Sequence, residues 1–155
     1  MKEIKAPNPI SMESYSIFLG GTIDMGNSED WQQDLKSHFE LNCPQLHEFT
    51  LFNPRRDEWD SSWVQHIDNP EFNEQVTWEL NAMEKADLRL FVFLPNSKSP
   101  ITLMELGLFK HSPCVVYCPF EFYRSGNVHI VCERYKIPYY TDWDKFKASF
   151  VLTTS

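Results

Sequence analysis

Two glutamates stand where the sequence pattern calls for apolar side chains. Glu105 is the one charged residue between Ile101 and Phe109, inside the run Ser99-Pro-Ile-Thr-Leu-Met-Glu-Leu-Gly-Leu-Phe109. A carboxylate in such surroundings must find hydrogen-bond partners or take up a proton, because its ionised form loses hydration there. Glu79 lies in a second helical stretch, where Val76, Leu80 and Met83 form one stripe. At 100° per residue it sits about 60° from that stripe, at the border of the buried face, while Glu74 and Lys85 point away. If the two helices flank one strand, both carboxylates converge above it. That arrangement suits glycosidic chemistry, in which one carboxylate attacks the sugar carbon and another polar group assists the leaving group. Each glutamate also has an ordinary alternative: Glu105 reaching solvent from a helix boundary, and Glu79 pairing at the surface with Arg89 or a lysine.

The elements that must position these residues follow from short apolar runs alternating with helical patterns. A strand over 15–19 ends at Gly20-Gly21, and a helix over 30–41 has Ser28 or Asn27 as its cap. A second strand over 47–52 stops at Asn53-Pro54. The segment from Arg55 to Pro70 is polar, with Trp59 and Trp63 embedded in it, and at about 16 residues exceeds an ordinary connection. A helix over 72–86 leads to a third strand over 88–94, apolar almost throughout, as expected when both faces of a parallel sheet are covered. Pro100 suits the first position of the next helix, over 101–110, with Ser99 as its cap. A fourth strand over 114–118, a helix over 127–134, a short fifth strand within 135–140 and a closing helix over 143–150 complete the chain. This order predicts a single α/β domain over 1–155, with residues 1–13 as an N-terminal extension. Its core is a doubly wound, mostly parallel five-stranded sheet with helices on both faces, Rossmann-like or flavodoxin-like. Ligands of such folds bind at the carboxyl ends of the strands.

Composition narrows the classes of function. The 155 residues carry 22 Asp plus Glu against 14 Lys plus Arg, a formal charge of −8, which repels polyanions. Nucleic-acid polymers and anionic membrane surfaces are poor partners, and no run approaches the roughly 18 apolar residues of a membrane span. Cys43, Cys114, Cys118 and Cys132 lack metal-ligand spacing and read as reduced core residues, and the five histidines have no such spacing either. No metal site is expected, and the start of the chain shows no secretory pattern, so a cytoplasmic protein is the default. The turn Gly20-Gly-Thr-Ile-Asp-Met-Gly26 allows close approach of a ligand to the backbone. It matches neither the dinucleotide-binding nor the P-loop pattern.

Taken together, Phe18-Leu-Gly-Gly-Thr22, Glu79 with Ala86-Asp87, and Ser99 with Glu105-Leu-Gly107 resemble the nucleoside 2-deoxyribosyltransferase superfamily, over about residues 15–119. The resemblance implies that Glu105 is the nucleophile at the anomeric carbon. It forms a sugar ester that a base resolves in transferases and water in hydrolases. It further implies that Glu79, eight positions before Asp87, binds the sugar or assists the leaving base, although Asp is the usual residue there. Phe18 stands where the superfamily has a strand-one Tyr that positions the nucleophile. Ser99 matches a phosphate-binding Ser of the related deoxynucleoside 5′-monophosphate hydrolases, and Thr22 matches a Ser of their first turn. Asp24 replaces a basic neighbour and repels a 5′-phosphate.

The reading that results is an enzyme that cleaves the N-glycosidic bond of a (deoxy)nucleoside and transfers the sugar to another base. Glu105 and Glu79 act at the bond, Gly20, Gly21, Thr22 and Asp24 line the sugar pocket, and the base lies near Trp59 and Trp63. Its partners are a small nucleoside or nucleotide and a free base; no cofactor is needed, and the resemblance implies a homo-oligomer. Hydrolysis of a nucleoside 5′-monophosphate and a non-catalytic nucleotide-binding module are the alternatives. The net negative charge slightly favours an uncharged nucleoside.

Overall fold

The central strands are buried on both faces, and the reason is topological. The computed structural model describes residues 1–23, 29–57 and 62–153. In chain order the elements are β1 (Lys2–Lys5), β2 (Ser16–Gly21), α1 (Trp31–Asn42), a 3-10 turn (Pro44–Leu46), β3 (Thr50–Asn53), α2 (Pro70–Lys85), β4 (Leu88–Val92), α3 (Pro100–Leu108), β5 (Cys114–Tyr117), α4 (Ser125–Tyr135), β6 (Tyr139–Tyr140) and α5 (Trp143–Thr153). The sheet runs β1-β3-β2-β4-β5-β6, and each neighbouring pair is parallel. Parallel strands need crossovers, and the helices that supply them cover both faces.

Alternation along each strand divides the core. Phe18, Phe52, Phe91 and Phe93 point to one face, where they pack with Trp78, Ala82 and Met83 of α2, Leu106 of α3, and Val128 and Cys132 of α4. Ile17, Leu19, Leu51, Leu90 and Val92 point to the other, against Trp31, Leu35 and Phe39 of α1 and Phe146 and Phe150 of α5. Each such buried side chain stabilises the fold by roughly 1.5–3 kcal/mol. Without β1 the order is the doubly wound one expected, reversing between β2 and β4.

Several expectations are corrected. The sheet has six strands, because Lys2–Lys5, expected as part of an extension, pairs with β3 at the edge. Only Ile4 of that strand is buried, so its charges escaped an apolar-run criterion; charged side chains are common on edge strands. The cap of α1 is Asp30, whose carboxylate accepts from the Gln33 N–H at 3.1 Å, in place of Ser28 or Asn27. On α2 the buried residues are Gln75, Trp78, Ala82 and Met83, while Val76 and Leu80 are only partly buried. Arg89 does not pair with Glu79. It donates to the carbonyls of Met83 and Ala86, both at 2.7 Å, and so caps the end of α2. The cysteines sit as expected: all four are buried and free, and burial pushes the Cys118 and Cys132 thiols up to about 12.

The two glycines ending β2 have a reason inside the fold. A Cβ on Gly20 would stand 2.7 Å from the Leu90 carbonyl oxygen; one on Gly21, whose φ is +149°, would stand 2.5 Å from the Val92 oxygen and 2.8 Å from the Trp31 ring. Gly21→Ala is therefore expected to destabilise the protein by about 1–3 kcal/mol. Gly126→Ala, where a Cβ meets nothing within 4 Å, should be neutral or slightly stabilising; urea unfolding of the two variants measures the contrast.

Candidate active site

Three chain segments meet at the carboxyl ends of β2 and β4, where the strand order reverses. Gly21 pairs with Val92, and the Thr22 N–H continues the ladder to the Val92 carbonyl at 3.2 Å. The Thr22 carbonyl accepts from the Trp31 indole at 2.9 Å, which ties the turn to the start of α1. Beyond β4 the chain passes Ser97 and enters α3 at Pro100, the first helical residue as expected.

Ser99 occupies the cap position without capping. Its φ of +46° and ψ of +50° are left-handed, and its side chain makes no bond to the helix. Its hydroxyl instead meets those of Thr22 and, at 2.8 Å, Ser97. Thr22 and Ser97 are 3.1 Å apart, and the Ser97 hydroxyl donates to the Leu94 carbonyl at 2.8 Å. A left-handed non-glycine residue costs on the order of 1–3 kcal/mol. Here the conformation turns the Ser99 hydroxyl off its own helix and into a cluster of three, in which Thr22 and Ser99 are buried and Ser97 is half-buried. Thr22 and Ser99, matched separately to two serines of the monophosphate hydrolases, thus lie in direct contact; Ser97 had no sequence signal.

Glu105 lies further along α3 and is 7% exposed. Among the described residues no hydrogen bond holds its side chain. Burial raises its carboxyl well above the usual carboxylate range, and the charge of Glu79 raises it further. Glu79 is half-buried, at the border of the buried face as expected; at 100° per residue it lies about 40° from Gln75 and about 60° from Ala82. Burial lifts its carboxyl to about 7, against the opposing pull of a Gln75 hydrogen bond and the Arg56 charge. The two carboxyls therefore feel each other, as the sequence pattern anticipated, and α2 and α3 both pack on the Phe18 face of the sheet. Phe18 itself is buried on that face and brings no hydroxyl.

Gln75 and Arg56 were missed by the sequence reading. The Gln75 amide donates to Glu79 Oε1 at 3.1 Å and to the Pro54 carbonyl at 2.8 Å. Its oxygen accepts from Arg56 Nε at 3.0 Å. The spacing of four between Gln75 and Glu79 on one helix was the available signal. Trp63 is half-buried and lies beneath the Arg56 guanidinium, 5.1 Å from it. It thus connects to Glu79 through Arg56 and Gln75. Asp24 and Trp59 lie outside the described residues. Among the described residues no three potential metal ligands converge.

The raised carboxyls make stability pH-dependent with a definite sign. Below about pH 4.5 Glu79 is protonated in both folded and unfolded chains; between 4.5 and about 7 the unfolded chain ionises first, so stability falls as pH rises. The loss reaches at most about 3 kcal/mol for Glu79. Glu79→Gln is therefore expected to be more stable than the parent at pH 8 and to lose that advantage near pH 4. Denaturant titrations at the two pH values measure the difference.

Among the described residues no helix is long and apolar enough to cross a membrane. A search of curated proteins finds no match. Residues 14–133 match the family described as nucleoside 2-deoxyribosyltransferase like, a span that includes both carboxylates, the hydroxyl cluster and the Gly20-Gly21 turn. The chain belongs to the nucleoside 2-deoxyribosyltransferase-like family.

Proposed function

We propose that the protein cleaves the N-glycosidic bond of a (deoxy)nucleoside through a sugar ester on Glu105 and passes the sugar to a second base. The observation that carries this reading is the pair formed by the buried Glu105 and the half-buried Glu79, whose carboxyls are both raised by desolvation, with the Glu79 charge raising Glu105 further. Two neighbouring carboxyls resist being ionised together, and a proton kept on the pair can be handed to a leaving group. Glycosyl transfer uses that proton. A Glu105 oxygen bonds to C1′ as the C1′–N bond breaks; the bonding pair goes to the base nitrogen, and the shared proton follows it by way of Glu79. In the second half an incoming base nitrogen bonds to C1′, the ester bond breaks to restore the Glu105 carboxyl, and the N–H proton returns to the pair. Charge at the oxocarbenium-like transition state is balanced by the carboxylates themselves.

A second reading rests on Thr22, Ser97 and Ser99. Three clustered hydroxyls beside the start of α3 would suit the 5′-phosphate of a nucleoside monophosphate, with water resolving the ester. Support for a homo-oligomer comes from α3: Ile101, Met104 and Leu108, spaced i, i+3 and i+7, are 56%, 53% and 60% exposed, while Thr102, Glu105 and Leu106 face inward. A second copy seated on that stripe would lie next to Glu105. Four buried free cysteines fit a reducing, cytoplasmic setting.

Incubation with a deoxynucleoside and a second free base, followed by chromatography, should show base exchange. Base release without exchange, from the monophosphate alone, would favour the hydrolase, and binding without turnover a non-catalytic module. Glu105→Gln should lower turnover by at least 1,000-fold while the chain stays folded; full activity in that variant would exclude both enzymatic readings. Light scattering after gel filtration should give a multiple of the 18.3 kDa chain mass, reduced in Met104→Glu.

A further inference from the structure

The Gln75 amide is held so completely that its orientation is forced. An amide has two donors on nitrogen and acceptor lone pairs on oxygen, and its two ends are ordinarily hard to tell apart. Here the Pro54 carbonyl, 2.8 Å from one end, can only accept, and Arg56 Nε, 3.0 Å from the other, can only donate. The nitrogen therefore faces Pro54, and its second N–H is aimed at Glu79 Oε1, 3.1 Å away. Rotating the amide would set oxygen against oxygen at Pro54 and N–H against N–H at Arg56. Arg56 is itself fixed, by Glu74 Oε1 at 2.9 Å and by the Trp63 ring beneath it. Gln75 is 1% exposed, so water does not compete for these bonds.

We infer that Gln75 is the positioning residue for Glu79: its amide, oriented by Arg56 and Pro54, holds Glu79 Oε1 as an acceptor and leaves Oε2 as the oxygen that carries and delivers the proton. The inference rests on the role given to Glu79 in the proposed function. Without the amide, the Glu79 side chain, one turn along the same helix, has no hydrogen bond among the described residues. Arg56, from the segment after β3, is then the charged group that favours its ionised form, while Glu105 of α3 is the acidic neighbour that its charge acts on. An N–H aimed at a carboxylate favours the ionised form. Its loss should shift the titration of Glu79 upward as well as free its rotation.

Gln75→Met fills a similar volume without a donor, and Gln75→Asn keeps an amide too short to span Pro54 and Glu79. Carboxyl-carbon NMR of the protein labelled at glutamate, with the Glu79 signal identified by its absence in Glu79→Gln, reads the titration without reference to turnover. Both variants should move the Glu79 midpoint above its parental value near 7. In base exchange both should lower kcat by about 10- to 100-fold, the range that a hydrogen bond to a charged group is worth. KM should be nearly unchanged, and the basic limb of the pH profile should move upward. An unchanged midpoint in folded variants would overturn the inference, and so would loss of the fold in both, which would make the amide a fastening for Pro54 alone. If the parent protein exchanges no base, the proposed function fails, while the NMR titration still decides the role of Gln75.

Discussion

The pairing of β2 with β4 is the contact on which the rest of this site depends. The strand order reverses there, so the connections leaving the two carboxyl ends turn to opposite faces, α1 to one and α3 to the other. The close approach is set by main-chain atoms: the Leu90 and Val92 carbonyls occupy the space that side chains at positions 20 and 21 would need. Because Gly21 is in register with Val92, the first residue beyond β2 comes level with the turn that leads into α3. Thr22 and Ser99, 77 positions apart in the chain, meet for that reason. The glycines, which in sequence looked like room for a ligand, are first of all room for the neighbouring strand.

The same geometry explains why two acidic residues are tolerated on the Phe18 face of the sheet. A lone buried carboxylate costs several kcal/mol and escapes the cost by protonation. Two of them that interact need not both be charged, and their surroundings are unequal. Glu79 has an amide N–H and the Arg56 charge to favour its ionised form. Glu105 has no hydrogen bond from the described residues, and the Glu79 charge works against its ionisation. Of the two, Glu79 is the carboxyl whose neighbours favour the ionised form.

Much of this was legible in the sequence, and the failures have physical causes. The central strands read clearly because both of their faces are buried, so β2, β4 and β5 appear as apolar runs. The edge strand Lys2–Lys5 buries one residue and leaves no such trace. Glu105 stood out because its helix is otherwise uncharged. Glu79 was detected for a partly mistaken reason. The stripe was drawn through Val76 and Leu80, whereas the helix turns Gln75 and Trp78 inward. A polar amide and an indole with its own partner, the Asn8 carbonyl at 2.7 Å, do not register as core. Gln75 is buried because three partners satisfy it, and two of them, Pro54 and Arg56, come from a segment whose approach to α2 is purely tertiary. The hydroxyl cluster was illegible for the same reason, since Ser99 carries the composition of a cap and the conformation of something else.

That inequality bears on the proposed chemistry. A nucleophilic carboxyl must be ionised when it bonds to C1′, yet burial and the Glu79 charge both work against ionisation of Glu105. The departing base needs one proton, and in the proposed reaction the pair supplies it. If attack by Glu105 and protonation of the base proceed together, the proton passes from Glu105 through Glu79 to the base nitrogen, and no outside acid or base enters the half-reaction. A strand-one tyrosine would donate a hydrogen bond to the nucleophile and favour its ionised form beforehand. In the proposed reaction, with Phe18 in that position, ionisation of Glu105 would depend on Glu79 accepting the proton, and so on how firmly Gln75 and Arg56 hold that second carboxylate in place.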